Sequence, residues 1–388
     1  VTIDNLSTAN VTVSTATAGN TQVVLAWTNP VDADFHSTVV LRRATSAVAD
    51  VPVEGTTYVV GNTVGTATVA CVVASPTATC TDTGLSNGSA YHYLIFAKDS
   101  NGNYSATGVV PTGSPATPGV RICVPSMFDA SCNSSQTTLA LAITAATSGV
   151  SDIYVQAGTY SENINYGGKN ITILSASGAA TTTIRGSGAN SPVVTFSTSE
   201  TSAAVLDGFT IDNQSAANTL TRGIYISGAA PTIQNTIITG NLLSATATEG
   251  GAGVYIDNSS PTFTSVTIKA NNAPSPSNGC GIYIKGAAGG ATISGSTIGG
   301  TAAGDGNLCS GGSGGGIYYT GSTTGTLSIS GSNIQYNQGN SNGGGIFATG
   351  ITNQITVTST TIRNNFTSTT ADGGGVYRFF EVAMDARM

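Results

Sequence analysis

Gly251-Ala252-Gly253-Val254-Tyr255-Ile256 and Gly279-Cys280-Gly281-Ile282-Tyr283-Ile284 are two copies of one phrase. Its core, glycine then an aliphatic then an aromatic residue, occurs six times: at Gly223, Gly253, Gly281, Gly316, Gly345 and Gly375, in steps of 28–35 residues. A second block keeps the same beat, as Pro231-Thr-Ile-Gln234, Pro261-Thr-Phe-Thr264, Ala291-Thr-Ile-Ser294, Leu327-Ser-Ile-Ser330 and Ile355-Thr-Val-Thr358. A third runs Ile238-Thr-Gly-Asn241, Ile268-Lys-Ala-Asn271, Ile298-Gly-Gly-Thr301, Ile334-Gln-Tyr-Asn337 and Ile362-Arg-Asn-Asn365. A fixed period of this size means stacked units. Each unit holds three short β-type runs and no helical pattern, so the units read as coils of a β-solenoid.

Within Gly-Ile-Tyr-Ile the period is two. The first aliphatic (Ile224, Val254, Ile282, Ile317, Ile346, Val376) keeps its type and is placed inward. The next residue then points outward, as Tyr225, Tyr255, Tyr283, Tyr318, Phe347 and Tyr377. At about 4.8 Å per coil these make an aromatic ladder. An exposed stripe of rings reads as a glycan-stacking surface; stacked rings also stabilise a solenoid by themselves. The asparagines Asn213, Asn241, Asn271, Asn337 and Asn365 read as structural, because Asn suits left-handed turns and its amide pairs with neighbouring turns. Thr301 breaks that column in the coil lengthened by Gly300–Gly314.

The rest of the 388-residue chain fits this picture. Only 8% of residues are charged, 50 are glycine, and the formal net charge is −7. Twelve scattered basic residues form no stripe for phosphates, which excludes nucleic acid as a partner. No run of 18 apolar residues is present, so no membrane span is expected. Six cysteines fall into the local pairs Cys71–Cys80, Cys123–Cys132 and Cys280–Cys309, which predicts disulfides and an oxidising compartment. Starting at Val1 without a signal peptide, the chain reads as a mature secreted protein or a fragment.

Residues 1–112 show alternating runs at Gln22–Trp27, Thr38–Arg42, Thr57–Val60, Thr66–Val73 and Ala90–Lys98, a β-sandwich pattern. Leu25-Ala-Trp27-Thr-Asn-Pro30, Thr83-Gly-Leu85-Ser-Asn87-Gly88-Ser-Ala-Tyr91 and Asp99-Ser-Asn-Gly102-Asn103 resemble a bacterial fibronectin type III domain. The resemblance implies Trp27 in the core and Tyr91 at a tyrosine corner. Asp32 and Asp34, with Asp99, Asn101 and Asn103, lie on loops that share one end of such a sandwich. Oxygen ligands there suit Ca²⁺, and turn chemistry uses the same residues. No other cofactor is implied.

Residues 113–122 read as a stiff linker, and 123–388 as a right-handed parallel β-helix, incomplete after Tyr377, where the repeat stops without a cap. Ser134–Ala146 reads as a capping helix, with Ser134 or Ser135 as N-cap and Leu139, Ile143 and Ala146 on one face. The Asp152–Ile164 stretch resembles the entry of pectate-lyase-like β-helix proteins. The Gly-Gly-Gly-Ile-Tyr and Thr-Ile-Arg-Asn-Asn blocks resemble repeats of polymorphic outer-membrane-type surface proteins.

The superfamily includes lyases, glycosidases and esterases, whose chemistries need clustered carboxylates and a base. No such cluster emerges from the columns. Asp257 and Lys285 read as a surface ion pair, Arg185, Arg222 and Asp305 as isolated, and Asp207 and Glu162 as turn residues. The resulting expectation is an all-β, non-catalytic, secreted or cell-surface prokaryotic protein. Its role is adhesive, glycan-binding or structural, with self-association through the solenoid ends as one route to a filament. The alternative is a polysaccharide lyase or glycoside hydrolase on the same scaffold.

Overall fold

A computed structural model describes residues 6–187, 191–213, 222–243, 249–274, 276–321, 323–350, 355–367 and 373–378. The chain divides into two compact units at the junction of Arg121 and Ile122.

The first unit is a sandwich of two antiparallel sheets. Thr12–Gly19, Gln22–Thr28 and Thr79–Thr83 form one; Thr63–Val64, Ala67–Ala74, Phe35–Ala44 and Tyr91–Asp99 form the other. The alternation in Gln22–Thr28 does what period two requires: Val23, Leu25 and Trp27 are buried together with Val40, Tyr93 and Ile95. The Cys71–Cys80 disulfide joins a strand of one sheet to a strand of the other. Thr57–Val60 is not a strand. Tyr58 turns into a second apolar cluster with Val39, Leu41 and Phe96, and its hydroxyl accepts a hydrogen bond from Val53 N at 3.1 Å. Val59 and Val60 are left outside.

The second unit is a right-handed parallel β-helix. Each coil gives one strand to each of three parallel sheets, as Thr262–Thr264, Thr267–Lys269 and Ile282–Lys285 do in one coil. Two of these sheets hold eight strands. The third is lengthened at its N-terminal end by Val120–Val124 and Ser134–Ser135. The aliphatic column is inward as expected: Ile224, Val254, Ile282, Ile317 and Ile346 are fully buried. Val376, on the last described coil, is 51% exposed.

The capping helix is shorter than the sequence reading. It spans Leu139–Ala145, with Thr138 as N-cap, whereas Ser134 and Ser135 belong to a strand. The helix is pinned at both ends by charge from the coils beneath it. Glu162 Oε1 and Oε2 accept hydrogen bonds from Leu139 N and Ala140 N at 2.9 and 3.0 Å. Lys169 Nζ donates to the carbonyls of Ile143, Thr144 and Ala146 at 2.6–2.9 Å. A carboxylate at the N-terminus and an ammonium at the C-terminus satisfy orphan backbone groups and oppose the helix dipole.

Successive coils are locked by a buried amide ladder. Asn241 Nδ2 donates to Asn271 Oδ1 at 2.8 Å, Asn271 to Asn307 at 2.9 Å, Asn307 to Asn337 at 2.8 Å and Asn337 to Asn365 at 3.0 Å. Each of these four oxygens also accepts the backbone N–H of the preceding asparagine, at 3.0–3.3 Å. The ladder therefore does not break in the long coil. Thr301 sits exposed in the insertion, and Asn307 takes the position. The Cys280–Cys309 disulfide ties that insertion back to the preceding coil, just before the strand Ile282–Lys285, and Cys123–Cys132 closes the N-terminal cap region.

The glycines of the first five Gly-aliphatic-aromatic phrases, Gly223, Gly253, Gly281, Gly316 and Gly345, face this ladder. A Cβ on Gly281 would lie 2.4 Å from Gly316 O and 2.9 Å from Asn307 Nδ2; on Gly316, 2.5 Å from Gly345 O and 3.0 Å from Asn337 Nδ2. Close approach, not a positive φ, requires glycine there. Two residues earlier a different need holds: Gly251, Gly279, Gly314, Gly343 and Gly373 have φ of 58–77°.

Replacing Asn307 by Ala strands buried donors and acceptors on both neighbours. We expect a loss of about 2–4 kcal/mol in solenoid stability, read from denaturant midpoints. Thr301→Ala, in the same insertion, should stay within about 0.5 kcal/mol of the parent.

Candidate functional site

The aromatic column is a continuous stack. Ring centroids of Tyr225, Tyr255, Tyr283, Tyr318, Phe347 and Tyr377 are 5.1–5.5 Å apart, with interplanar angles of 2–14°. The expected exposed stripe is not what forms. Tyr255 and Tyr283 are only 3% and 8% exposed, and the others are half-buried. Each internal ring presents both faces to its neighbours, so edges and hydroxyls are what remain outward.

Beside the stack, three coils bring charged groups together. Glu249 accepts from Tyr255 Oη at 2.5 Å and pairs with Lys285 Nζ at 2.5 Å. The Arg222 guanidinium lies 4.4 Å from the Tyr255 ring centroid and donates to Gly250 O at 3.2 Å. Arg222 is thus not isolated, and the partner of Lys285 is Glu249. Asp257 is the neighbour of Lys285 in register, but its carboxylate accepts from Asn258 Nδ2 at 2.9 Å. Glu249 escaped the sequence reading because it lies in a loop outside the repeat columns.

The electrostatics follow from this geometry. Burial raises the Glu249 carboxyl, but the hydrogen bonds from Lys285 and Tyr255 outweigh it and hold it below the usual range. The hydrogen bond to Glu249 raises Lys285. Burial, then the hydrogen bond to Glu249, raises the Tyr255 hydroxyl. Burial, then the Glu249 charge, pushes Tyr283 up to about 12.

Other solenoid carboxylates are engaged as well. Asp212 receives Arg185 Nε and Nη2 at 2.7 Å each, an Arg–carboxylate fork between adjacent coils. Arg185 is therefore paired, contrary to the sequence expectation. Asp207 accepts from Gln234 Nε2 at 2.9 Å and Asn235 Nδ2 at 2.8 Å. Lys269 and Arg363 share another column three coils apart, with Gln335 between them accepting from Arg363 Nε at 2.9 Å.

The sandwich loops were a candidate for Ca²⁺. Ser100 N donates to Asp34 O at 2.9 Å, which brings the two loops together. Asp99 Oδ1 accepts from the backbone N–H of Asn101, Gly102 and Asn103 at 2.7–2.9 Å, and Oδ2 from Asn103 Nδ2 at 2.8 Å. Burial raises the Asp99 carboxyl, but these hydrogen bonds, led by Asn103, win and hold it low. Asp32 Oδ2 accepts from Thr8 Oγ1 at 2.9 Å and Ala9 N at 2.6 Å. These carboxylates are directed at the chain's own donors. Among the described residues, no group of three or more His, Cys, Asp or Glu is placed to hold a metal.

No family model matches the chain, and no curated protein matches it. Solved structures similar to it include a pectin methylesterase variant in complex with a hexasaccharide. That match has 12% identity and a TM-score of 0.32, over 61% of this chain and 66% of that one, just under two thirds of its length. Carrot pectin methylesterase matches at 13% identity and a TM-score of 0.31, over 69% of this chain and 90% of its own. A family 28 exopolygalacturonase from Yersinia enterocolitica matches at 10% identity and a TM-score of 0.25, over 92% and 89%.

A raised tyrosine pKa means that folding favours the neutral phenol. That stability is present below the unfolded value near 10 and is lost as pH rises through about 12 at Tyr283. Stability measured between pH 10 and 12 should fall more gently in Tyr283→Phe than in the parent. Tyrosinate absorbance in the parent should lag behind that of the denatured chain. Coincident absorbance curves would remove this account of the stack.

Proposed function

We propose that this chain is a non-catalytic extracellular protein with a structural or adhesive role at a cell surface. One observation carries the reading. Among the described residues, four solenoid carboxylates that hydrolytic or eliminative chemistry could use are engaged in holding the fold. Glu162 caps a helix, Asp207 and Asp212 bridge coils, and Glu249 ties Tyr255 to Lys285. A glycosidase pair needs one carboxyl free to give a proton and a second facing the sugar.

The N-terminal unit supports the reading as a fibronectin type III-like spacer. Trp27 is buried, and Tyr91 Oη accepts from Ser86 N at 3.0 Å, the local bond of a tyrosine corner. Three disulfides favour an oxidising, secreted setting. No helix among the described residues is long and apolar enough to cross a membrane. The ring stack stiffens the coil array, and a cell-surface polysaccharide that docks there meets ring edges, not faces. Head-to-tail assembly needs two open ends, and the helix pinned by Glu162 and Lys169 closes one of them.

A depolymerisation screen on acidic and neutral polysaccharides tests the reading. We expect no new reducing ends and no unsaturated products. Turnover that disappears in Glu249→Gln or Asp207→Asn would replace it with the enzymatic one.

A further inference from the structure

The outer face of the first parallel sheet carries a feature that neither scaffold rigidity nor adhesion through rings requires. Four consecutive coils place a hydroxyl at both outward positions of the strand. Thr262, Thr292, Ser328 and Thr356 fall in one register column, and Thr264, Ser294, Ser330 and Thr358 in the other. Between them Phe263, Ile293 and Ile329 point inward and are buried. Parallel-strand spacing sets the rows about 4.8 Å apart, and alternate residues set the columns about 6.6 Å apart. The result is a two-dimensional grid of hydroxyls on a rigid backing.

Three further facts describe this face. Of the eight hydroxyls, only Thr264 and Ser294 bond within the described protein, to each other at 3.3 Å. The segments Ser260–Ser265, Gly290–Gly295, Thr326–Gly331 and Ile355–Ser359 contain no charged residue. Their one aromatic side chain, Phe263, points into the core. Lower on the same sheet the columns lose this character, where Val205, Asp207 and Gln234 occupy them.

We propose that this grid is an ice-binding face. A charged surface holds its own hydration shell, which conflicts with an external lattice; this face has no charge. Aromatic faces on which sugar rings could stack are absent from this face. What remains is a repeated, registered set of donor–acceptor hydroxyls, each capable of one donated and two accepted bonds. Five of the eight are threonines, whose branched side chains are stiff at χ1, so little side-chain entropy is lost in matching an ordered array. The two repeat distances are of the size of the oxygen repeats on a prism face of hexagonal ice. Many weak contacts then act together, and lateral order counts for more than the strength of any one bond.

The test uses the full 388-residue chain in an ice-recrystallisation assay, with adsorption of the labelled protein to a growing ice surface as a second readout. The parent should arrest recrystallisation and coat the ice. Thr292→Lys, in the middle of the grid, should raise the concentration needed by about tenfold or more. Thr297→Lys, in the same coil but on the next sheet, should leave it unchanged. Circular dichroism and unfolding midpoints confirm that both variants are folded. A folded parent without effect on ice growth overturns the proposal. So does equal activity of Thr292→Lys, an equal loss in Thr297→Lys, or adsorption to crystalline cellulose with none to ice.

Discussion

The contact on which the solenoid depends is that of a bare glycine backbone against a buried asparagine amide. Each amide donates to the asparagine of the next coil and to an isoleucine carbonyl, as Asn307 does to Asn337 and to Ile268 O, both at 2.8 Å. Its oxygen accepts two N–H groups of the previous asparagine, from Nδ2 and from the backbone. In a low-dielectric interior each satisfied member strengthens its neighbours, from Asn271 to Asn365; at the start of the ladder Asn241 Oδ1 is buried with no hydrogen-bond partner among the described residues. Glycine is the residue that leaves room for it, since a Cβ there would meet both the amide and the next coil's carbonyl. Gly-aliphatic-aromatic and the asparagine column are therefore one device, written in two places in the repeat.

Low charge follows from the same architecture. A stack of near-identical coils places like residues over like at one β-spacing, so a repeated charge would repel itself along the whole column. Hydroxyls, amides and rings tolerate that repetition. A few charges stand in the repeat columns, as Asp257, Lys269, Lys285 and Arg363 do, and others occur where the repeat is interrupted or begins. Glu162 and Lys169 serve the helix cap, Arg185 and Asp212 link early coils, and Glu249 lies in a loop. Each is absorbed by a structural need, and this joins the sparse charge to the non-catalytic reading.

Two outward columns with the same geometry meet different fates. Rings at coil spacing are thick enough to fill the gap between rows, so they stack on one another and turn their faces away from solvent. Threonine and serine are too small to bridge that gap well, and their hydroxyls remain directed outward. Side-chain size, repeated at a fixed spacing, separates a stiffening element from an open surface.

The period and the alternation within it determined the solenoid, the inward aliphatic column, the outward aromatic one and the three cysteine pairs. These are local or periodic facts, and repetition converts them directly into register. Tertiary structure alone decided what crosses the period. Asn307 replaces Thr301 in the ladder because a six-residue insertion shifts the count, and only the stacked coil shows which residue lands on the column. The partners of Lys285, Arg185 and Glu162 lie one or more turns away or in loops, where linear spacing carries no information. The burial of Tyr255 and Tyr283 was likewise invisible in the sequence. An outward direction states where a side chain leaves the backbone, and packing of neighbouring rings and loops decides whether water reaches it.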